Sequence, residues 1–284
     1  MKLLLACLSG IMTIPALMAQ DSRPKFEVAS IKECKKGDAR PPSTNSPGRL
    51  SLSCWPLQRL IQEAYLMYGS GKVDPLNPFF PSEPLDGAPD WIRSTAYAID
   101  AKPDAPQTPA MMRGPMMQTL LEDRFRLKTH HEMREIPLYL MTVAKGGPKL
   151  QPAKEDGCVH LDPSDLNQTP PPQSAKICAY TIVSRQGPTT LIDLYGVTLD
   201  VFAKLQHPGD RSVINQTGLT GTYDIHLELP PNEPAAASVS GAATDPPGAS
   251  ALAATSRQLG LQFTPGRGSV RYFVIDHIER PSGN

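Results

Sequence analysis

The sequence has no excess of charge of either sign. It contains 28 lysine and arginine residues against 28 aspartate and glutamate residues, and it lacks any long run of like charges. Nucleic acids and anionic membrane surfaces attract proteins that present a basic surface. We therefore expect no nucleic-acid partner and no attachment to an anionic membrane surface.

The sequence also lacks the common motifs of catalysis and of metal or cofactor binding. It has no Gly-x-Ser-x-Gly, no His-Glu-x-x-His, no phosphate-binding glycine loop and no calcium-loop pattern. The Cys-x-x-Cys and His-x-x-x-His spacings of zinc sites do not occur either. We therefore predict no catalytic, cofactor-binding or metal-binding residue, and no cofactor.

Cysteine is scarce, with five residues in the chain. One of them, Cys7, lies near the N-terminus, and the other four form two neighbouring pairs that each have a sequence separation of 20. This spacing indicates two local disulfides, Cys34 with Cys54 and Cys158 with Cys178, although the sequence alone leaves the connectivity open. Four buried free thiols are the alternative.

The N-terminus has the pattern of a secretory signal peptide. Lys2 is followed by a short apolar segment that ends at Ala19, before polar residues. We expect cleavage after Ala19 and a periplasmic or secreted protein, with no stable membrane insertion after the signal is removed. A membrane anchor would need a longer apolar run, and lipidation at Cys7 would leave too short an apolar region before the cysteine.

Proline and glycine content divides the rest of the chain. Residues 20–155 form a first predicted lobe, residues 156–187 a proline-rich linker and residues 188–284 a second lobe with a mobile loop at 230–250. Each lobe has the order strand-helix-strand-helix-strand-strand. The fold class is therefore α+β, with two related lobes, mixed or mostly antiparallel sheets, and helices on one face.

The two lobes share landmarks at similar positions, which indicates an internal repeat, although strand and helix units can resemble one another by chance. In the first lobe we predict two strands within 125–145 that meet around 134–137, and in the second a turn at 265–268. The matched pairs are Tyr97-x-Ile99 with Tyr223-x-Ile225, and Tyr139-Leu140 with Tyr272-Phe273.

Some polar residues could belong to a site assembled from distant segments. Residues of one strand alternate between its faces, so His130 and His131 cannot bind one ion from a regular strand, and Asp276 and His277 also diverge. We expect His131 to be partly buried, and His130 and His226 to be exposed. The set for a hydrolase would be His277, Asp276 and His131, with Ser269 as a candidate nucleophile.

Aromatic residues are few, and four of them could mark a binding surface. Phe79 and Phe80 lie in a proline-rich loop, where they could contact a ligand or cap the core. Trp55 and Trp91 are the other two candidates.

Several blocks along the chain resemble the soil-associated protein family, a set of uncharacterised exported proteins expanded in acidobacterial genomes. The resemblance covers nearly the whole chain after the signal segment. The blocks are FEVASIK at 26–32, GRL at 48–50, LLEDRFRLK at 120–128, PLY at 137–139, AKGGPKL at 144–150, TGLTGTYD at 217–224 and VIDHIERP at 274–281.

The resemblance implies a domain of unknown function, joined in some relatives to a membrane metallopeptidase of antibiotic sensing, and thus a sensory or docking role. The order of elements in each lobe is also similar to the short N-terminal domain of secretins and TonB-dependent receptors, a docking module. We expect a non-catalytic binding module whose partner is an envelope or extracellular protein or glycan. An exported hydrolase acting on peptide or polysaccharide is the alternative.

Overall fold

In a computed structural model the chain has an α+β fold with three mostly antiparallel sheets. The predicted fold class is therefore confirmed. The predicted signal peptide 1–19 and most of the predicted mobile loop 230–250 lie outside the described residues. The structure describes residues 23–172, 174–206, 211–229 and 249–281.

Short helices alternate with strands along the described chain. The strands are β1 (Val28–Glu33), β2 (Thr44–Ser46), β3 (Arg49–Pro56), β4 (Leu85–Asp86), β5 (Ala96–Lys102), β6 (Lys128–Val143), β7 (Gln151–Pro152), β8 (Thr181–Gln186), β9 (Thr189–Val197), β10 (Val213–Asn215), β11 (Tyr223–Leu229) and β12 (Leu261–His277). The helices are α1 (Leu57–Ile61), which a π-helical turn (Gln62–Met67) continues, α2 (Trp91–Ser94), α3 (Pro109–Arg113), α4 (Pro115–Phe125), α5 (Leu199–Leu205) and α6 (Ala249–Leu259).

The first sheet has the strand order β1–β5–β3–β2, with antiparallel neighbours. Alternate residues of a strand point to one face, and Leu52, Tyr97 and Ile99 are buried there. Helices α1, α3 and α4 pack on this face and complete the first hydrophobic core. We call β1, β2, β3, β5 and α1–α4 the first unit.

The second sheet has the order β7–β11–β9–β8 and is also antiparallel. Its buried face contains Leu194, Ile225 and Leu227. Helices α5 and α6 cover them through Phe202 and Leu252, which gives a second hydrophobic core. We call β7, β8, β9, β11, α5 and α6 the second unit.

The segment 156–187, predicted as a linker, contacts both units. It contributes β8 to the second sheet. Its Ser164 is fully buried, and the Asn45 side chain of the first unit donates a hydrogen bond of 2.7 Å to the Ser164 carbonyl. The segment therefore packs against the first unit while it belongs in part to the second.

A third sheet, with the order β10–β6–β12–β4, connects the two units. Strands β6 and β12 form a long antiparallel ribbon, while β4 adds to β12 at one end and β10 adds to β6 at the other. Phe273 of the ribbon lies in the first core and Tyr139 in the second. The middle of the ribbon, where Glu135 pairs with Ser269, therefore lies between the units.

The ribbon strands are uninterrupted, so the predicted strand break at 134–137 and the predicted turn at 265–268 are wrong. The prolines in these stretches, Pro137 and Pro265, face the outer edges of the ribbon, where no described strand pairs with them. The missing proline N–H therefore costs no ladder hydrogen bond.

The glycines of the predicted turn serve packing instead. A Cβ atom at Gly266 would lie 3.0 Å from the Leu140 side chain, and one at Gly268 would lie 3.1 Å from the Leu138 side chain. Glycine therefore leaves room for these two leucines on the cross-strand neighbour.

The two units share one local feature of strand geometry. Each has a residue with positive φ near the end of its longest strand, Cys54 (φ 52°) in β3 and Gly196 (φ 58°) in β9. The residue that follows pairs with Tyr97 in one unit and with Tyr223 in the other.

Two aromatic residues of the ribbon have buried side chains, Tyr139 in the second core and Phe273 in the first. The predicted match of Tyr139-Leu140 with Tyr272-Phe273 stays a prediction.

Candidate functional site

A groove of about 720 Å³ lies over the middle of the ribbon, between the two units. We call it the central groove. Its volume is in the range of sites that bind small molecules or short peptides. It is lined by Gln62 and by residues 80–85, 204–206, 212–214 and 269–271.

The topology of the third sheet places these segments together. Because β6 and β12 are antiparallel, the short strands β4 and β10 flank opposite ends of the ribbon, with Leu85 beside Phe273 and Val213 beside Tyr139. Helix α5 ends at the same place, and its Lys204 and Leu205 complete one wall. The groove thus combines residues from both units.

One wall contains a buried carboxylate, Glu83, whose side chain is only 6% exposed. Arg271 donates to Glu83 Oε1 from Nε at 2.6 Å and from Nη2 at 2.5 Å, while His131 Nδ1 lies 2.8 Å from Oε2. Both partners are more than half exposed. A buried carboxylate needs such partners. The two contacts with Glu83 in turn fix Arg271 at the edge of the groove.

The opposite wall carries a cation without a described partner. Lys204 is exposed and makes no hydrogen bond or ion pair with another described residue. Arg211 precedes the lining residue Ser212 and lies 5.8 Å from the ring centre of Tyr139. The exposed charged side chains of the groove lining, Lys204 and Arg271, are therefore both basic.

Phe80 links the two units at the groove. It belongs to the loop before β4, but it packs against the second hydrophobic core together with Leu205. Its neighbour Phe79 makes an edge-to-face contact with Tyr180 at 5.4 Å. Of the two alternatives for this loop, the structure supports the cap on a core for Phe80, which also lines the groove.

The two tryptophans are covered by other side chains. Trp55 is 9% exposed and stacks with Arg59 at 3.9 Å, and its Nε1 donates to Ser43. Arg280 lies over Trp91 at 4.7 Å. Neither tryptophan lines the central groove.

The cysteines pair as the spacing predicts. Cys34 is bonded to Cys54, and Cys158 to Cys178. Disulfides persist in oxidising compartments outside the cytoplasm, so the pairs indicate that the protein folds in such a compartment. Neither disulfide lines the central groove.

Four of the described histidines, His130, His131, His226 and His277, contact separate acidic side chains. His130 Nδ1 lies 2.8 Å from Asp276, and this hydrogen bond raises the pKa of His130 above its ordinary value. His226 is exposed, and its hydrogen bond to Asp193 at 2.7 Å raises the pKa of His226. His131 is 51% exposed rather than partly buried, and its Nδ1 contacts Glu83 at the groove wall.

The residues considered for a hydrolase do not converge. His277 contacts Glu279 at 2.8 Å, Asp276 contacts His130, and His131 contacts Glu83. Ser269 does line the groove, but its cross-strand partner is Glu135. The structure therefore does not assemble these residues into one acid-base set.

A buried ion pair was missed by the sequence analysis. Arg113 and Glu63 have side chains 2% and 7% exposed and are joined at 2.5 Å. Arg113 also donates to the carbonyls of Pro163 and Ser164. Burial in the same region raises the pKa of Tyr68 to about 12. No local pattern signals this pair, since its members lie 50 residues apart.

The described helices are short, and the described acidic, histidine and cysteine side chains are dispersed. Within residues 23–172, 174–206, 211–229 and 249–281, no helix is long and apolar enough to cross a bilayer. In the same ranges no group of three or more His, Cys, Asp or Glu side chains is placed to hold a metal ion.

Comparisons with known proteins identify the family of the chain. No curated protein and no solved structure matches the chain. Residues 59–278 match the family described as protein of unknown function (DUF3738). This match covers well over half of the chain, and the protein therefore belongs to the DUF3738 family.

Proposed function

We propose that the protein is an exported, non-catalytic binding module and that the central groove is its ligand site. The observation that carries this proposal is the position of the groove, which lies where the two units meet and is lined by both. Pockets between substructures are common ligand sites. The partner is an envelope or extracellular protein or glycan.

Export is supported by two independent features. The N-terminal segment has the composition of a signal peptide with cleavage after Ala19. The two disulfides need an oxidising compartment to persist. The protein is then periplasmic or secreted after removal of residues 1–19.

An internal duplication supports a binding role. The positive-φ positions Cys54 and Gly196 and the pairings of Tyr97 and Tyr223 are the same in both units. The short docking domains that the lobes resemble also use small α+β units. The family is the soil-associated set of exported proteins, in which a sensory or docking role fits a module without assembled catalytic residues.

A blocked groove tests the proposal. Ser269 is exposed on the groove floor, so Ser269→Trp fills the groove with a side chain that a strand tolerates. Val183→Trp is the matched control, because Val183 is 60% exposed on strand β8. We expect the chain from residue 20 to retain partners from envelope and medium fractions, and Ser269→Trp to lose them while Val183→Trp keeps them. Equal retention by both variants would refute the groove as the site.

A further inference from the structure

We infer that the ligand of the central groove is an extended peptide segment that carries apolar side chains and a carboxylate. This inference rests on the proposed function of the groove as a ligand site. It adds the chemical class of the ligand, which follows from three features of the lining: its charge, its apolar walls and its unpartnered polar side chains.

The charge of the groove favours an anion. Glu83 is buried, and both of its oxygens are engaged by Arg271 and His131. Arg271 binds Glu83 through Nε and Nη2, which leaves its Nη1 N–H groups for a ligand. Lys204 adds a second cation from the opposite wall, without a described partner. A ligand carboxylate placed between them would be neutralised by charge-assisted hydrogen bonds.

The walls of the groove favour apolar side chains near that carboxylate. Phe80 and Leu205 extend the second core to the groove surface. Leu85, Val213 and Ile214 contribute further apolar lining from the two short strands. A small, strongly hydrated anion would leave this surface uncovered, so the ligand has an apolar part as well as a charge.

The uncharged polar lining favours a peptide over a simple hydrocarbon acid. None of the uncharged polar side chains of the lining makes a hydrogen bond with another described residue. The N–H and C=O groups of a peptide would pair with them. A hydrocarbon ligand would cover them without a partner, which costs free energy. They are Gln62, Ser82, Gln206, Ser212 and Ser269.

Labelled peptide mixtures test this inference. The probes are mixtures of dye-labelled hexapeptides that contain Leu, Val and Phe and one Asp. In matched mixtures, Asn or Lys replaces the Asp. Each mixture is made in two forms, one with a free C-terminus and one with an amidated C-terminus. Fluorescence anisotropy with the chain from residue 20 measures the affinity. We expect mixtures with a carboxylate, in the side chain or at the C-terminus, to bind about tenfold more tightly than the amidated Asn and Lys mixtures.

The cations are tested by substitution. Lys204→Gln should weaken binding of the carboxylate mixtures about tenfold and leave the amidated Asn mixture unchanged. Lys204 has no described partner, so this variant should fold normally, whereas Arg271→Gln also unpairs Glu83. Arg185→Gln on β8 is the control and should bind like the unmodified chain, since Arg185 lies outside the groove lining.

The outcomes separate this inference from the proposed function. If the amidated Asn mixture binds as tightly as the Asp mixture, the carboxylate peptide is overturned. If no mixture binds while Ser269→Trp still abolishes partner retention, the peptide class is likewise overturned and the groove remains the site. If Ser269→Trp leaves partner retention intact, both proposals fail together.

Discussion

Arg113 connects a buried carboxylate of the first unit with the backbone of segment 156–187. Its guanidinium pairs with Glu63, donates to two carbonyls of segment 156–187, and stacks near Trp55 and Tyr68. The guanidinium, the carboxylate and the two carbonyls would be costly to bury without partners. Together with Asn45, which donates to the Ser164 carbonyl, Arg113 therefore anchors segment 156–187 to the first unit.

Arg113→Met should lower the free energy of unfolding by about 3–5 kcal/mol, because the buried Glu63 would lose its buried partner and keep an ion pair only with the exposed Arg59. The double variant Glu63→Leu with Arg113→Met should lower the free energy of unfolding by less than Arg113→Met alone, since neither charge of the buried pair is left. Guanidinium unfolding measures both.

Arg59→Met is the control for this prediction. Arg59 also contacts Glu63, but its side chain is 57% exposed, so the loss should be below about 1 kcal/mol. An Arg113→Met loss no larger than that of Arg59→Met would contradict the anchoring role.

His226 should titrate above the usual histidine value of about 6.5, because its hydrogen bond to Asp193 raises its pKa. The folded pKa then exceeds the unfolded one. The stabilisation from this pair is present below the unfolded pKa and is lost as the pH rises through the folded pKa. NMR titration should show a lower His226 pKa in Asp193→Asn and no change in Asp200→Asn. An unchanged value in Asp193→Asn would contradict the assignment.

At the scale of elements, the two disulfides close loops of equal sequence separation, 20 residues each. Cys34→Ala with Cys54→Ala, and Cys158→Ala with Cys178→Ala, should each lower the free energy of unfolding by about 3 kcal/mol. Intact mass after alkylation without reductant should show no labelled thiol among these four. Four alkylated cysteines would contradict the pairing.

The junction of α6 and β12 depends on a glycine. Gly260 has a φ of 65°, and a Cβ there would lie 2.2 Å from the Gly147 carbonyl oxygen. Gly260→Ala should therefore cost about 1–3 kcal/mol from backbone strain, with a further cost from the displaced loop. Gly146→Ala is the matched control, since a Cβ atom at Gly146 would meet no other atom within 4 Å. Thermal unfolding compares the two, and equal melting temperatures would argue against the strain.

The sequence predicted those features that depend on local periodicity or on cysteine spacing. The helix after Pro56, the strands around Tyr97 and Tyr223 and both disulfides follow from local sequence. The ribbon was not predicted, because Pro265 and the neighbouring glycines have the composition of a turn. Only the pairing with β6 shows that the proline faces a free edge and that the glycines accommodate leucines.

At the scale of the whole molecule, the groove depends on contacts between distant segments. Glu83 and Arg271 are 188 residues apart, and the whole second unit lies between β6 and β12 in the chain. Local patterns in the sequence do not encode such a meeting point. The sequence therefore predicts a binding module only in general terms, and the proposed location of its site comes from the third sheet.

Photo-crosslinking is the most direct test of the groove as the ligand site. A photoreactive residue replaces Ser269 in the groove or, as a control, Val183 on β8, and each variant is irradiated with envelope and medium fractions. Mass spectrometry then identifies the attached molecules. We predict one predominant adduct at position 269, a carboxylate-bearing peptide segment, and none at position 183. Adducts at 183 alone, or the same adducts at both positions, would contradict the account.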